Sequence, residues 1–338
     1  TATSYDFVDR HNKVAGVDGR FRLDAKTLAE FQLLGTHTRG FVYDPYRDDV
    51  SYRSQNGFGY FGRFERSGRN TYVELIGEGR TTNYATDVGF VARPNTNFNG
   101  LYTQYSTDPQ HGKKLVNWRV SNFAHIDYDF QGRIQIWEDE VNVRWQFARN
   151  TSFGLAYEKA YERVFEHEFG PTRTATRQGA FTGPDDERSS SKHHYFVFGN
   201  VAPTKAFALD YRFVMRDGHF DYDFGAGREY PRVSPAALLD PNAAFDPGSA
   251  NELFIDSYVT YKPTEKLRAT LAYVKSRAVR QDTGRVAFDD NIFSLKTTYQ
   301  FSAFTFLRAR VDYDSLSRQM FGQYLLGWTP NPGTAFYL

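Results

Sequence analysis

The chain has 338 residues, with 41 Lys and Arg against 40 Asp and Glu, and it contains no cysteine. The balanced charge gives no sign of a nucleic-acid-binding surface. The lack of cysteine excludes disulfides, zinc–thiolate sites and cysteine nucleophiles. No apolar run is long enough for a transmembrane helix. The mean hydropathy of −0.60 does not exclude a membrane, because a strand can present only every second residue to lipid.

The first predicted element is a lead-in of residues 1–12, after which side chains alternate between apolar and polar with a period of two. In 14–23, Val17 and Phe21 share one face, and Arg20 and Arg22 share the other. Helical i, i+3, i+4 spacing is nearly absent, so the sequence predicts an all-β chain. The alternation recurs in 50–65, 116–130, 206–216, 267–275, 291–301 and 307–314.

We place about sixteen strands along the chain. Connections after odd-numbered predicted strands are mostly short, and those after even-numbered ones are mostly long, a sorting that is typical of outer-membrane barrels. The predicted strand starts are 13, 27, 49, 70, 97, 115, 133, 151, 192, 205, 251, 266, 289, 303, 319 and 333. The predicted long connections are 39–48, 81–96, 167–190, 218–250 and 278–287.

The segment 116–130 shows why a membrane suits this pattern. Its even-numbered positions are apolar or aromatic except Asn122, whereas its odd-numbered positions include Arg119, His125 and Asp127. Ten tilted strand residues cover roughly 25 Å, the height of a barrel's apolar band. We therefore predict a transmembrane antiparallel β-barrel with short periplasmic turns and long extracellular loops, occupying 1–338 as a single domain. The alternative is a soluble sandwich or propeller, whose strands should be shorter.

Three stretches resemble the C-terminal barrel of a family of bacterial outer-membrane proteins, a domain of unknown function. They are 87–93 (DVGFVAR), 288–314 (FDDNIFSLKTTYQFSAFTFLRARVDYD) and 328–338 (WTPNPGTAFYL). In that family the barrel usually follows a domain similar to family 9 carbohydrate-binding modules, which has no counterpart in this sequence. The resemblance implies the outer membrane of a Gram-negative bacterium and supplies no catalytic residues. It also implies a closing strand that extends beyond Leu338.

Three polar constellations could carry chemistry. Ser121, His125 and Asp127 share a strand face, but residues four apart on a strand are about 13 Å apart, too far for a hydrolytic triad. A metal could bind between Glu166-His167-Glu168 and His193-His194, or calcium at Asp221 and Asp223. A solvated loop or a polar lumen wall explains all three sets better than a triad or a metal site does, so we predict no metal and no cofactor.

The predicted lumen wall is the principal candidate site. Its mixed charges would either line a solute path or pair with each other and fill the barrel. The function we predict is a passive channel or transport component for polar solutes, with oligosaccharide-like molecules as one class. The alternatives are an anchor that docks a partner protein at the extracellular loops or periplasmic face, and an outer-membrane hydrolase. The predicted lumen-lining residues are Arg20, Arg22, Arg53, Arg63, Arg119, His125, Asp127, Asp129, Arg212, Arg308, Arg310 and Asp312.

Overall fold

The computed structural model describes residues 2–87, 93–331 and 333–338, and these residues form one 17-stranded sheet. The connections carry one short α-helix, α1 (Pro235–Leu239), and a single 3-10 turn at Glu166–Glu168. The strands are β1 (Ala2–Phe7), β2 (Arg10–Arg22), β3 (Thr27–Asp44), β4 (Asp49–Ser67), β5 (Thr71–Arg80), β6 (Thr96–Ser106), β7 (Leu115–Tyr128), β8 (Ile134–Phe147), β9 (Thr151–Phe165), β10 (Glu187–Thr204), β11 (Phe207–Asp221), β12 (Gly248–Tyr261), β13 (Leu267–Arg280), β14 (Val286–Gln300), β15 (Thr305–Asp314), β16 (Gln319–Asn331) and β17 (Thr334–Tyr337).

Antiparallel ladders connect each strand to the next along the chain, from β1 to β17. The longest hairpin pairs Thr27 with Arg66 at one end and Asp44 with Asp49 at the other. Because consecutive strands run in opposite directions, the connections fall at two ends of the sheet. We call them the short-turn end and the long-loop end.

The predicted parity of the connections is confirmed for the three longest ones. The connections after β5, β9 and β11, with their described residues 81–87 and 93–95, 166–186 and 222–247, all lie at the long-loop end. The connection predicted at 39–48 is mostly strand and the one predicted at 278–287 is half strand, and the turns shrink to 45–48 and 281–285. Alternation continues there through the exposed Phe41 and Tyr43. Ala278 and Ala287 are buried against Val233 of the 222–247 loop, which supports the longer β13–β14 hairpin.

The predicted lead-in of residues 1–12 is wrong, because Ala2–Phe7 forms β1 and pairs with β2 from Ala2↔Ala15 to Phe7↔Arg10. The segment was missed because its alternation is too short to recognise. The other predicted starts lie within five residues of the observed ones. The largest difference is at β10, which begins at Glu187 rather than 192.

The two faces of the sheet divide as the alternation predicts. Large apolar side chains such as Leu33, Leu75 and Val141 are exposed on the outer face. On the inner face, the ring of Tyr84 from the 81–95 connection is buried against Gly59 of β4. Buried polar groups require hydrogen-bond or ion-pair partners, and the inner face supplies them. Within the described ranges, no helix is long and apolar enough to cross a membrane.

Candidate functional site

Two of the long loops pack against each other and form one body, which we call the lid (residues 166–186 and 222–247). Phe181 has no exposed surface, and it packs with Phe169 and the partly buried Phe245. The backbone N–H of Thr182 donates to the carbonyl of Phe245 at 2.8 Å, and that of Phe245 donates to the carbonyl of Ala180 at 2.8 Å. Aromatic packing and backbone pairing together fix the two loops to each other.

The lid reaches across to the β3–β4 hairpin. The backbone N–H of Thr172 donates to the carbonyl of Pro45 at 2.8 Å, and Arg177 donates to the carbonyl of Tyr46 at 3.2 Å. β4 and β9 are separated by five ladders, and strands lie about 4.8 Å apart in a sheet. Contact over that separation requires the sheet to curl, so the long-loop end is a mouth that the lid crosses.

Further contacts tie the lid to the rest of the rim. Arg93, from the connection between β5 and β6, donates to Glu168 at 2.6 Å. On the other side, Arg318 of the β15–β16 turn forms an ion pair with Glu229. The lid is therefore attached at several points around the mouth.

Glu166 anchors the inside of the lid with a carboxylate that is almost completely buried. It accepts hydrogen bonds from the side chain of Arg173 at 2.8 Å and from the backbone N–H of Phe181 at 3.0 Å. Burial alone would raise the pKa of Glu166, but these bonds to the carboxylate hold that pKa below its usual value. The charged form of Glu166 therefore stabilises the docked lid.

Beneath the lid, charged side chains of β7–β12 form a band that we call the inner belt. Its members are His125, Asp127, Glu138, Glu158, Glu162, Lys192, His194, Arg216, His219 and Glu252. Lys192 is an ion-pair partner of Glu162, and Glu162 also accepts a hydrogen bond from Tyr222 of the lid at 2.6 Å. The belt and the lid are thus in direct contact.

The three belt histidines each face a carboxylate. His125 uses both ring nitrogens, Nδ1 at 3.1 Å from Asp127 and Nε2 at 2.9 Å from Glu138. His194 Nδ1 lies 2.7 Å from Glu158. His219 Nε2 lies 3.4 Å from Glu252, the carboxylate that Arg216 also contacts at 2.8 Å.

Of the four arginines predicted for the inner face of the first strands, Arg20, Arg53 and Arg63 form ion pairs with neighbouring carboxylates. Glu30 of β3 lies 2.9 Å from Arg20 and 2.7 Å from Arg63. Arg53 lies 3.3 Å from Asp44. Arg63 lines the same open pocket as His125 and Glu138 of the inner belt, whereas no recorded contact among the described residues joins Arg20 or Arg53 to the belt. The sequence-predicted residues therefore do not all converge on one site.

The remaining predicted positions are spread along the wall. Arg310 lies 2.6 Å from Asp312 on the same strand, and Arg308 lies over the ring of Phe306 at 4.7 Å. Arg22 lines an open pocket at the short-turn end. Of the twelve, the belt contains His125 and Asp127.

Three further residues complete the twelve predicted lumen-lining positions. Asp129 is buried and lies 2.6 Å from Arg133 in the tight turn between β7 and β8. Arg119 donates to Gln104 at 3.5 Å, and Arg212 lies on β11.

The structure gives ordinary partners to the constellations weighed from the sequence. Glu166 is held by Arg173, and Glu168 by Arg93. Asp223 is held by Arg232 and Asp221 by Arg280, so each of these two carboxylates already has an arginine partner. Both ring nitrogens of His125 lie within hydrogen-bond distance of carboxylates, and no hydrogen bond joins His125 to Ser121 in the part of the chain that is described.

Sequence reasoning missed several belt members, namely Glu138, Glu162, Lys192, His219 and Glu252. Alternation alone assigns each residue to a face, but it does not give the register between strands that brings these side chains together. A bulge adds to the difficulty: the register shifts between Arg216 and His219, with Gly218 at φ 74°. The shift brings both residues to Glu252 although one is even-numbered and the other odd-numbered.

The structure is similar to that of the ferric enterobactin receptor PfeA from Pseudomonas aeruginosa. One variant of that receptor superimposes with a TM-score of 0.55 at 9% identity, over 96% of this chain and 55% of the receptor chain. A second variant gives a TM-score of 0.55 at 10% identity, again over 96% and 55%. This chain therefore spans about half the length of these receptors. No family model and no curated protein matches the sequence.

These similarities establish the fold. The chain has the antiparallel all-β fold of outer-membrane receptor barrels, as the alternation predicts. At 9% and 10% identity the similarity is one of fold alone.

Proposed function

We propose that this chain is the barrel of a transport component for polar solutes in the bacterial outer membrane, and that its lid controls entry at the outer mouth. The main support for this proposal is the contact of Thr172 with Pro45, which brings the lid across the mouth above the inner belt. A polar solute that enters from the long-loop end has to displace the lid before it meets the charged wall. The outward apolar side chains of the strands suit a bilayer.

Removal of lid residues 226–243 tests this role. The cut leaves Phe245 and the β11–β12 strands in place while it removes α1 and its flanks. We expect higher single-channel conductance in planar bilayers and faster liposome uptake of small sugars. The matched control removes residues 108–112 from the connection between β6 and β7 at the short-turn end. Unchanged flux in a lid deletion that still folds and inserts would reject lid control.

A second candidate function is a docking barrel that anchors a partner protein. The observation that favours it is the internal pairing of the wall, in which Glu30 holds two arginines and Glu162 holds Lys192. A wall whose charged side chains already pair with each other leaves fewer free charged groups for a solute to bind. Negligible conductance in both the intact protein and the lid deletion, with stoichiometric co-purification of one protein, would favour docking.

We also propose that the solutes include oligosaccharide-like molecules, and that the chain belongs to the barrel family that the three stretches resemble. Oligosaccharide-like molecules are one class of polar solute in this proposal, and the resemblance of the three stretches concerns the barrel alone, since any glycan role in that family would belong to its carbohydrate-binding-like domain. Under this proposal the chain is not an enzyme, and the lid and belt act by admission and binding. Uptake that is independent of solute size and chemistry, once the lid is removed, would argue against a saccharide preference.

A further inference from the structure

We propose that His194 and His219 form a binding site for a first-row divalent transition-metal ion on the inner wall beneath the lid. Their ring centroids lie 6.3 Å apart, with an angle of 53° between the planes. With metal–nitrogen distances of about 2.0–2.1 Å, two rings that share an ion have centroids about 5.2 Å apart at a tetrahedral angle and at most about 6.5 Å apart when the nitrogens lie on opposite sides of the ion. The observed separation is near the upper end of this range, so a tetrahedral ion would draw the two rings about 1 Å closer.

Each ring already has the carboxylate support that metal-ligating histidines use. His194 Nδ1 faces Glu158 at 2.7 Å, and His219 Nε2 faces Glu252 at 3.4 Å. A ring nitrogen that faces an ionised carboxylate carries the proton, so in the neutral ring the other nitrogen presents its lone pair. The pair is thereby prepared to donate from His194 Nε2 and His219 Nδ1.

Those two nitrogens are buried and have no hydrogen-bond partner among the described residues. His194 is only 7% exposed, so its free nitrogen is shielded from water. The strand order explains their orientation. Glu158 lies on β9 and Glu252 on β12, whereas the histidines lie on β10 and β11 between them. Each ring is held from the far side, so the free nitrogens lie on the sides that face each other.

The local charge favours a cation. The belt carries two lysine or arginine side chains, Lys192 and Arg216, against five carboxylates: Asp127, Glu138, Glu158, Glu162 and Glu252. Lys192 and Arg216 are themselves engaged with Glu162 and Glu252. The wall around the two imidazoles therefore carries an excess of negative charge.

Two other histidines show what a non-binding ring looks like in this protein. Both nitrogens of His125 are occupied by carboxylates. His193, adjacent to His194, projects to the opposite face and pairs with the hydroxyl of Tyr157 at 2.7 Å. Among the described residues, no group of three or more His, Cys, Asp or Glu is arranged to hold a metal. The protein thus supplies two imidazole ligands. Water or donor atoms of a cargo molecule would fill the remaining coordination positions of the metal ion.

Imidazole selects ions such as Zn²⁺, Ni²⁺ and Cu²⁺ over Ca²⁺ and Mg²⁺, which prefer oxygen. The test is Zn²⁺ titration of tag-free protein in detergent, in competition with a chromophoric chelator and with Mg²⁺ as the comparison ion. We expect one buried Zn²⁺ per chain in the wild type. Binding should weaken by at least about tenfold in His194→Gln and in His219→Gln, and by about 10–100-fold in Glu158→Gln.

The matched control is His193→Gln, which removes an imidazole from the same strand on the other face and should leave the affinity unchanged. Heat-modifiable gel migration reports whether each variant is folded. If His194→Gln fails to fold, the affinity of His219→Gln, at the more exposed histidine, is compared with that of the wild type instead. Absence of Zn²⁺ binding in the wild type, unchanged affinity in a folded His219→Gln protein, or equal loss in His193→Gln would overturn the site. None of these outcomes depends on whether the barrel conducts.

Discussion

Tyr84 lies against Gly57 so closely that a Cβ at Gly57 would stand 2.3 Å from the Tyr84 Cα. The contact places the 81–87 segment on the inner face of β4, where Asn12 of β2 also donates to the carbonyl of Ala85 at 2.9 Å. Glycine is required here because no side chain fits between the two backbones. The segment narrows the lumen from one side while the lid covers the mouth.

Substitution Gly57→Val should therefore expel the 81–87 segment from the wall. The expected result is faster proteolysis within 81–87 and higher single-channel conductance. Gly62→Val is the control on the same strand, since a Cβ at Gly62 meets nothing within 4 Å. Equal behaviour of the two folded variants would show that the segment does not restrict the lumen.

The lid should open when its aromatic centre is removed. Phe181 has no exposed surface, and a Phe→Ala change at such a position costs about 3–5 kcal/mol. Phe181→Ala should make the lid sensitive to added protease while the strands stay protected. Leu239→Ala, in the same lid but 91% exposed, is the control. Identical cleavage rates in the two variants would contradict the packing described for the lid.

Lid docking should weaken in two stages as pH falls. Burial between the rings of Tyr46 and Phe165 lowers the pKa of His167 from 6.5, an effect that Arg133 and Arg93 strengthen and Glu168 opposes. A detached His167 therefore takes up a proton below pH 6.5 more readily than a docked one.

The second stage belongs to Glu166, whose carboxylate has a pKa held below its usual 4.5 when docked. Docking stability from this group is complete above pH 4.5 and is lost as pH falls through the lower, docked value. Protease sensitivity of the lid measured against pH should show both stages, and His167→Asn should remove only the first. Lid protection that is constant from neutral to acidic pH would be the contrary result.

The assignment of faces can be tested with two neighbours on β8. Val141 is 45% exposed on the outer face, whereas Asn142 lies on the inner face and reaches the carboxylate of Glu140 at 3.5 Å. Arginine on the lipid face of a barrel costs about 2–4 kcal/mol near the midplane. Val141→Arg should lower the free energy of unfolding from liposomes by that amount, and Asn142→Arg by much less. A reversed order would mean that the faces are interchanged.

Sequence alternation predicted most of this architecture because each strand side chain has only two directions available. It located β3, β4 and β7 at their observed starts, Thr27, Asp49 and Leu115. It did not recover the inner belt, since the contact of His194 with Glu158 depends on register across two strands. The bulge before His219 reverses the parity on which the prediction relied.

The lid was only partly foreseeable. The length of the loop predicted at 218–250 indicates a function at the mouth, whereas 167–190 is predicted only as a long extracellular connection. The direction in which they fold depends on Phe181 meeting Phe245 and on Thr172 reaching Pro45, contacts between residues far apart in the chain. Local sequence patterns contain no information about such contacts.

The most direct test of lid control is a reversible lock across the mouth. The chain has no cysteine, so Asp48→Cys with Arg177→Cys introduces the only two thiols, at positions whose native side chains lie 3.7 Å apart. A bis-methanethiosulfonate linker would join them, and single-cysteine proteins treated alike are the controls. We expect conductance and sugar uptake to fall when the linker is in place and to recover when a reductant cleaves it. Equal flux through the locked and the released protein would show that the lid does not control entry.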